Sequence, residues 1–253
     1  MAVTFMRALS AQLFQDVKQL QTWFDSELGQ YVLAREQAWF DAVSADLFGF
    51  NAMQVGHCGV ECLRANRMPH RFCGGLAVGE LRCHPEQLPI ASQSLDLLAL
   101  PHLLEFSAHP HQLLREAERV LRPEGRLLIA GFNPLSLWGL RRTLSRHATD
   151  WPWRGRFIHL TRIKDWLALL GFELAGGRMA CYAPPLERAV WIERFAFLEA
   201  AGDRWWALGG GVYLIHAVKR VHGMRLIAPK WDGQWLPRPT WASSTRNSLN
   251  NHG

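Results

Sequence analysis

The stretch from Ser94 to Asn133 constrains what this chain can fold into more than any other segment. Leu95-Asp96-Leu97-Leu98-Ala99-Leu100 is an apolar run interrupted by a single acid, the pattern of a strand covered on both faces. Pro110 then stands at a first helical position, and Leu113, Leu114, Ala117, Val120 and Leu121 form a stripe at helical spacing. Pro123-Glu124-Gly125 stops that helix and turns the chain into a second buried strand, Arg126 to Gly131. Two parallel strands joined by a helix make a βαβ unit, whose crossover is almost always right-handed. The fold class is therefore α/β.

Other elements follow from the same reasoning. From Phe5 to Phe48 the apolar residues Leu9, Leu13, Val17, Leu20, Phe24, Leu28, Val32, Trp39 and Val43 recur at three- and four-residue spacing. This predicts two or more amphipathic helices, interrupted at Gly29, packed over an edge or mouth of the main domain. Ala52 to Val55 reads as a strand running into the turn Gly56-His57-Cys58-Gly59. Asn133-Pro134 offers a cap and first-turn proline for a helix through Arg142. Thr161 starts a helix that Gly171 ends, and Phe172 to Leu174 leads into the next strand. A helical stretch spans Leu186 to Ala200, and Gly211 to Lys219 closes the sheet. Beyond Pro229 periodicity is absent, as in an extended or disordered tail.

With 253 residues, 49% of them hydrophobic and 20% charged, the chain can bury one large core. The expected organisation is a helical cover over residues 1–50, a main domain over 51–228 and a flexible tail over 229–253. No uninterrupted apolar stretch of about 18 residues and no secretory leader pattern occurs, so the expected location is cytoplasmic. Five cysteines, odd in number and scattered, do not form a disulfide framework, and most should be reduced. A net charge of +6 favours an anionic partner but speaks to association, not fold. Twelve tryptophans, most of them beyond residue 150, give the later half its aromatic surface.

The run Leu88-Pro89-Ile90-Ala91-Ser92-Gln93-Ser94-Leu95-Asp96-Leu97 resembles the segment entering the fourth strand of the class I, Rossmann-like, S-adenosylmethionine (SAM)-dependent methyltransferases. The nearest group is the small-molecule one that includes quinone-biosynthesis methyltransferases. The likeness continues through Leu103-Leu104-Glu105-Phe106 and the run from Leu113 to Ile129, where turn, helix and strand signals keep one fixed order. The resemblance implies a doubly wound, mostly parallel sheet with a final antiparallel strand. It also implies SAM as cofactor, bound in a cleft at the carboxyl ends of the strands, where open α/β sheets hold their ligands. The family's first motif, a strand ending in an acid followed by alternating glycines, corresponds here to Met53-Gln54-Val55-Gly56-His57-Cys58-Gly59-Val60. Gln54 stands where the acid is usual, and Cys58 and Val60 where glycines are usual. Between Gly59 and Leu88 the chain is too short for two average helices and two average strands. One element there is missing or truncated.

By this resemblance the residues lining the cofactor cleft are Gln54, Gly56, His57, Gly59, His84, Glu86, Leu88 and His102. Glu80 is an alternative to Glu86 for the ribose or adenine role. His102, just past the Asp96 strand, is placed as a general base or substrate contact; the alternative is a histidine that lines the cleft without titrating in the reaction. Leu100-Pro101-His102 lacks the amine-holding signature of many amino-group methyltransferases, which disfavours adenine-N6 and glutamine-amide acceptors. The substrate-facing candidates are Asn133, Trp138, Arg141, Arg142, His159 and Tyr182. Several of them lie in or near a segment, Arg141 to Lys164, where arginines alternate with Trp151, Trp153 and Phe157. Such a surface suits an anionic partner, whether phosphate, carboxylate, acidic carrier protein, nucleic acid or membrane surface; a solvated face is the alternative. His57, Cys58, Cys62, Cys73, Cys83 and His84 are soft ligands, but their spacing lacks paired knuckles, so no metal is expected. The expected function is methyl transfer to a small or carrier-bound acceptor. The competing reading is a catalytically silent methyltransferase-like domain that binds protein or nucleic acid.

Overall fold

The computed structural model describes residues 19–56, 60–75, 79–144, 152–195, 197–206 and 208–220. The elements run α1 (Glu27–Ala45), β1 (Asn51–Val55), β2 (His70–Gly75), β3 (Leu81–Arg82), β4 (Leu95–Pro101), α2 (Pro110–Val120) and β5 (Leu121–Phe132). They continue as α3 (Leu137–Leu144), α4 (Leu160–Leu169), β6 (Phe172–Ala180), α5 (Ala189–Arg194), α6 (Phe197–Trp205) and β7 (Val212–Lys219). The seven strands form one sheet in the order β3-β2-β1-β4-β5-β7-β6. β1 pairs in parallel with β2 and β4, and β4 with β5, while β7 runs antiparallel to both β5 and β6. The expected doubly wound sheet with a closing antiparallel strand is present.

Alternation along the central strands explains their apolar continuity. Leu97, Ala99, Leu128 and Ala130 enter one buried cluster, whereas Leu98, Leu100, Leu127 and Ile129 enter another on the opposite face. Both faces are covered, so both sets of positions must be apolar. α2 and α4 supply Leu113, Leu114, Ile163 and Leu167 to the second cluster. The first is completed by the N-terminal helices, through Phe24, Leu28, Val32, Trp39 and Phe40. These helices thus lie on the sheet face as well as over its mouth and share its core. The parts of the cover before residue 19, and the tail from Pro229, lie outside the described residues.

Asp96, the single acid in the β4 run, is a clamp. Its Oδ2 accepts from the backbone N–H groups of Phe50 and Asn51 at 2.8 and 2.9 Å, and its Oδ1 accepts from Arg122 at 2.8 Å. Burial raises its pKa, but these hydrogen bonds and the guanidinium outweigh burial and hold it below the usual range. Lys219, at the end of β7, is buried and donates to the carbonyls of Glu118 and Leu121 at 2.6 and 3.0 Å. It also pairs with the Glu118 carboxylate at 2.7 Å. It therefore neutralises the carboxyl end of α2. Lys219→Met, leaving those carbonyls unsatisfied, is expected to lower stability by about 2 kcal/mol in urea unfolding.

Several boundaries differ from expectation. The N-terminal helices break at Asp25–Ser26, not at Gly29: helical residues 19–24 end there, and Ser26 Oγ caps α1 by accepting from Gly29 N–H at 3.1 Å. Gly29 instead permits close approach, since a Cβ there would meet the Trp23 carbonyl at 2.3 Å. Pro123-Glu124-Gly125 lies within β5, with Glu124 at φ 64° and a register shift opposite Leu95–Leu97. The stretch from Leu186 to Ala200 is two short helices, α5 and α6. The shortening falls on both crossovers of this stretch: the described residues before β2 form a turn at 62–65 in place of a helix, and residues 76–80 alone join β2 to a two-residue β3.

Candidate functional site

The carboxyl ends of β1, β4 and β5 lie side by side. β1 is followed directly by Gly56, whose N–H donates to Gly74 O at 3.0 Å and whose φ is +108°. A side chain at that φ is strained, and a Cβ would stand 3.1 Å from Leu103. Gln54, in the family's acid position, has both ends of its amide committed: Nε2 donates to Val60 O at 2.6 Å and Oε1 accepts from Cys62 N–H at 2.9 Å. It braces the chain that returns from the turn.

β4 is followed directly by His102, a non-glycine residue at φ 48°. Such conformations cost about 1–3 kcal/mol and persist only where surroundings enforce them. Here Nε2 is 2.6 Å from Glu36 Oε1 and Nδ1 is 3.4 Å from Glu105 Oε1, and all three side chains are wholly buried. Glu105 Oε1 also accepts from Phe132 N–H, joining the cluster to the end of β5. Burial works against a charged imidazole, but the two flanking carboxylates and their hydrogen bonds outweigh it and raise the His102 pKa to about 10. His102 is accordingly an imidazolium at neutral pH.

The second carboxyl oxygens of the cluster, Glu36 Oε2 and Glu105 Oε2, are buried with no hydrogen-bond partner among the described residues. Burial first, then the neighbouring Glu36, push the Cys62 and Cys181 thiol pKa values well up. Aromatic rings close the surroundings. Phe132 lies 4.3 Å from the His102 ring and Phe24 lies 5.6 Å from it, while Trp138 stacks on Phe132 at 5.9 Å.

The sequence-derived candidates divide between this centre and other places. His102 is at the centre, and Trp138, fully buried with Nε1 donating to Ala183 O at 3.0 Å, is part of its aromatic wall. Asn133 follows β5, but its side chain is a brace: Nδ2 donates to the Leu208 and Gly210 carbonyls at 2.8 and 2.9 Å, and Oδ1 accepts from Leu135 N–H. The cap of α3 is Ser136, whose Oγ accepts from Gly139 N–H at 3.2 Å. His84 Nδ1 accepts from Glu86 N–H at 3.4 Å. Glu86 accepts from Ser107 Oγ and His109 N–H, and Glu80 is exposed. Leu88 is held to α2 through Glu116 and packs in the second apolar cluster. β2 ends in Gly74-Gly75 and so offers no carboxylate.

Arg141 lies 4.8 Å over Trp153 and binds Pro185 O and Glu187, while Arg142 lies over Phe157 and donates to the Trp153 and Gly155 carbonyls. His159 is exposed at the start of α4. Tyr182 is buried, its N–H donating to Glu199. His57 and Gly59 lie outside the described residues. Cys62, Cys83 and Cys181 are free and buried, and Cys73 is disulfide-bonded. Among the described residues no cluster of His, Cys, Asp or Glu is placed to hold a metal ion, and no helix is long and apolar enough to cross a membrane.

Sequence reasoning missed Glu36 and Glu105. A signal for Glu36 existed: it occupies a core position between Val32 and Phe40 in an otherwise apolar stripe.

The strand order and the closing antiparallel strand are those of a Rossmann-like methyltransferase, and a family model described as "Methyltransferase domain" matches residues 62–129. The chain belongs to the class I SAM-dependent methyltransferases. It is 35% identical over 172 residues to the "Uncharacterized protein YafS" of Escherichia coli (strain K12), covering 65% of this chain and 70% of that protein. A SAM-dependent methyltransferase from Archaeoglobus fulgidus superposes with a TM-score of 0.52 at 16% identity, covering 75% of this chain and 94% of the other. One from Mesorhizobium loti gives 0.51 at 17% identity, covering 74% and 99%. These two likenesses concern the fold.

The family's cofactor is SAM, and the described residues fit it in two respects. The Gly56 turn keeps free the space a Cβ would fill. Glu36 Oε2 and Glu105 Oε2, acceptors without a partner among the described residues, lie beside His102 at the carboxyl end of β4.

Proposed function

We propose that this protein is an active SAM-dependent methyltransferase that modifies a small or carrier-bound acceptor at the carboxyl ends of β1, β4 and β5. The observation that carries the reading is the buried Glu36–His102–Glu105 cluster, with acceptor oxygens that have no partner among the described residues. When bound, SAM supplies an electrophilic methyl group on a good leaving group, so the protein needs chiefly to align the partners and exclude water. Gly56 lets the backbone approach closely, and Gln54 holds the neighbouring loop in place. Glu36 and Glu105 favour positive charge beside them. Phe24, Phe132 and Trp138 keep water out.

His102 acts here as a proton-holding anchor. A cation does not accept a second proton at neutral pH, so the acceptor atom must arrive deprotonated or lose its proton elsewhere.

Calorimetric titration with S-adenosylhomocysteine tests the reading. Wild-type protein is expected to bind it, and Gly56→Ala, which also lowers the thermal midpoint through the strained φ, to weaken binding at least tenfold at a temperature where the variant is still folded. One observation favours the silent-domain alternative: Phe24 and Glu36 of the N-terminal helices already pack against the end of β4. Absence of binding by SAM and S-adenosylhomocysteine alike, with salt-sensitive retention of RNA or an acidic protein, would establish that alternative.

A further inference from the structure

A groove of about 850 Å³ runs between α3 and the chain from Pro184 to Trp191. Its apolar lining protrudes: Leu140 is 51% exposed, Leu144 72% and Trp191 40%, with Leu186 beside them. Val190, next to Trp191, is 72% exposed. α3 is amphipathic in an inverted sense, burying Trp138 and Gly139 against the domain and turning leucines outward. Cations edge the groove. Arg141 and Arg188 line it, and the Arg194 guanidinium lies 5.5 Å over the Trp191 ring. The acid in the lining, Glu187, is paired with Arg141, whereas Arg188 and Arg194 have no acidic partner among the described residues.

We propose that this surface docks on an anionic phospholipid bilayer, the leucines and Trp191 entering the headgroup boundary and Arg188 and Arg194 facing lipid phosphates. Charge complementarity selects an anionic occupant: the unpaired charges at the rim are positive, and the chain carries a net +6. The shape selects a lipid. Side chains that protrude singly need matched holes in a protein partner, but a fluid interface deforms around them, and Trp and Arg are the residues that settle at that depth. The proposal does not depend on methyl transfer, because docking is read without cofactor.

Co-sedimentation of the full chain with phosphatidylglycerol and phosphatidylcholine vesicles is the test. Binding to phosphatidylglycerol is expected to be at least tenfold tighter. The double variant Leu140→Glu/Leu144→Glu, at positions too exposed to carry the core, should weaken it at least tenfold, and Arg188→Glu/Arg194→Glu should abolish the preference between lipids. Quenching of tryptophan fluorescence by brominated lipid should fall in Trp191→Phe, a reading that holds even if a double variant folds poorly. Absence of binding to phosphatidylglycerol, equal binding to both vesicles, or binding and quenching indifferent to all these substitutions would overturn the proposal.

Discussion

Replacing His102 by leucine should destabilise the fold by about 3–5 kcal/mol in urea unfolding, the usual consequence of deleting one member of a buried ionic cluster. The substitution leaves Glu36 and Glu105 inside the protein without the cation they share. Replacing Glu36 by leucine in the same chain should recover part of the loss, so the double variant costs less than the sum of the single ones. An additive result would show that Glu36 and His102 do not act as a unit.

The same cluster sets a pH dependence. The His102 pKa is raised from 6.5 to about 10 on folding, so folding takes up protons above pH 6.5. The stabilisation it provides is complete below about 6.5 and is lost as pH rises through about 10. The stability difference between wild type and His102→Leu should therefore shrink from pH 7 to pH 10. A difference that is flat or grows over that range would contradict a protonated imidazole in the folded state.

Trp138→Ala should cost about 3–5 kcal/mol, because it empties a fully buried indole volume between Phe132 and Trp153 and leaves the Ala183 carbonyl without its donor. Trp138→Phe should cost less, keeping the stack but losing the hydrogen bond. In a methyl-transfer assay the alanine variant is expected to lose at least tenfold in rate even where it is folded, since Phe132 loses the ring that backs it against His102. Full activity at normal turnover would remove Trp138 from the site.

The sheet was legible because its information is local. The β4–α2–β5 unit declares itself within forty residues: apolar positions on both faces force uninterrupted runs, and Pro110 marks the helix start. Boundaries were less legible where two residues compete for one role. Asn133 and Ser136 are both good caps, and which accepts the helix N–H depends on Asn133 being drawn to carbonyls 75 and 77 residues away. At the N-terminus Ser26 sits beside the first-turn acid Glu27, a start signal that Gly29 outweighed in the reading of the sequence.

The site was less legible still. His102 could be found from its place after β4, but its proton affinity is set by Glu36, contributed by a helix outside the family's recognisable segment. No spacing rule joins them. The resemblance directed attention to Gln54, His84 and Glu86 as ligand-facing groups, and in the structure the recorded hydrogen bonds of all three go to the protein itself.

During synthesis, Glu36 leaves the ribosome 66 residues ahead of the imidazole that balances it. Until β4 and β5 have emerged, the α1 stripe of Leu28, Val32, Trp39 and Phe40 lacks Leu97, Ala99, Leu128 and Ala130, the central-strand residues of its cluster. The nascent chain must therefore keep a sticky helix in waiting, a state that chaperones recognise and that a truncated translation product would never leave.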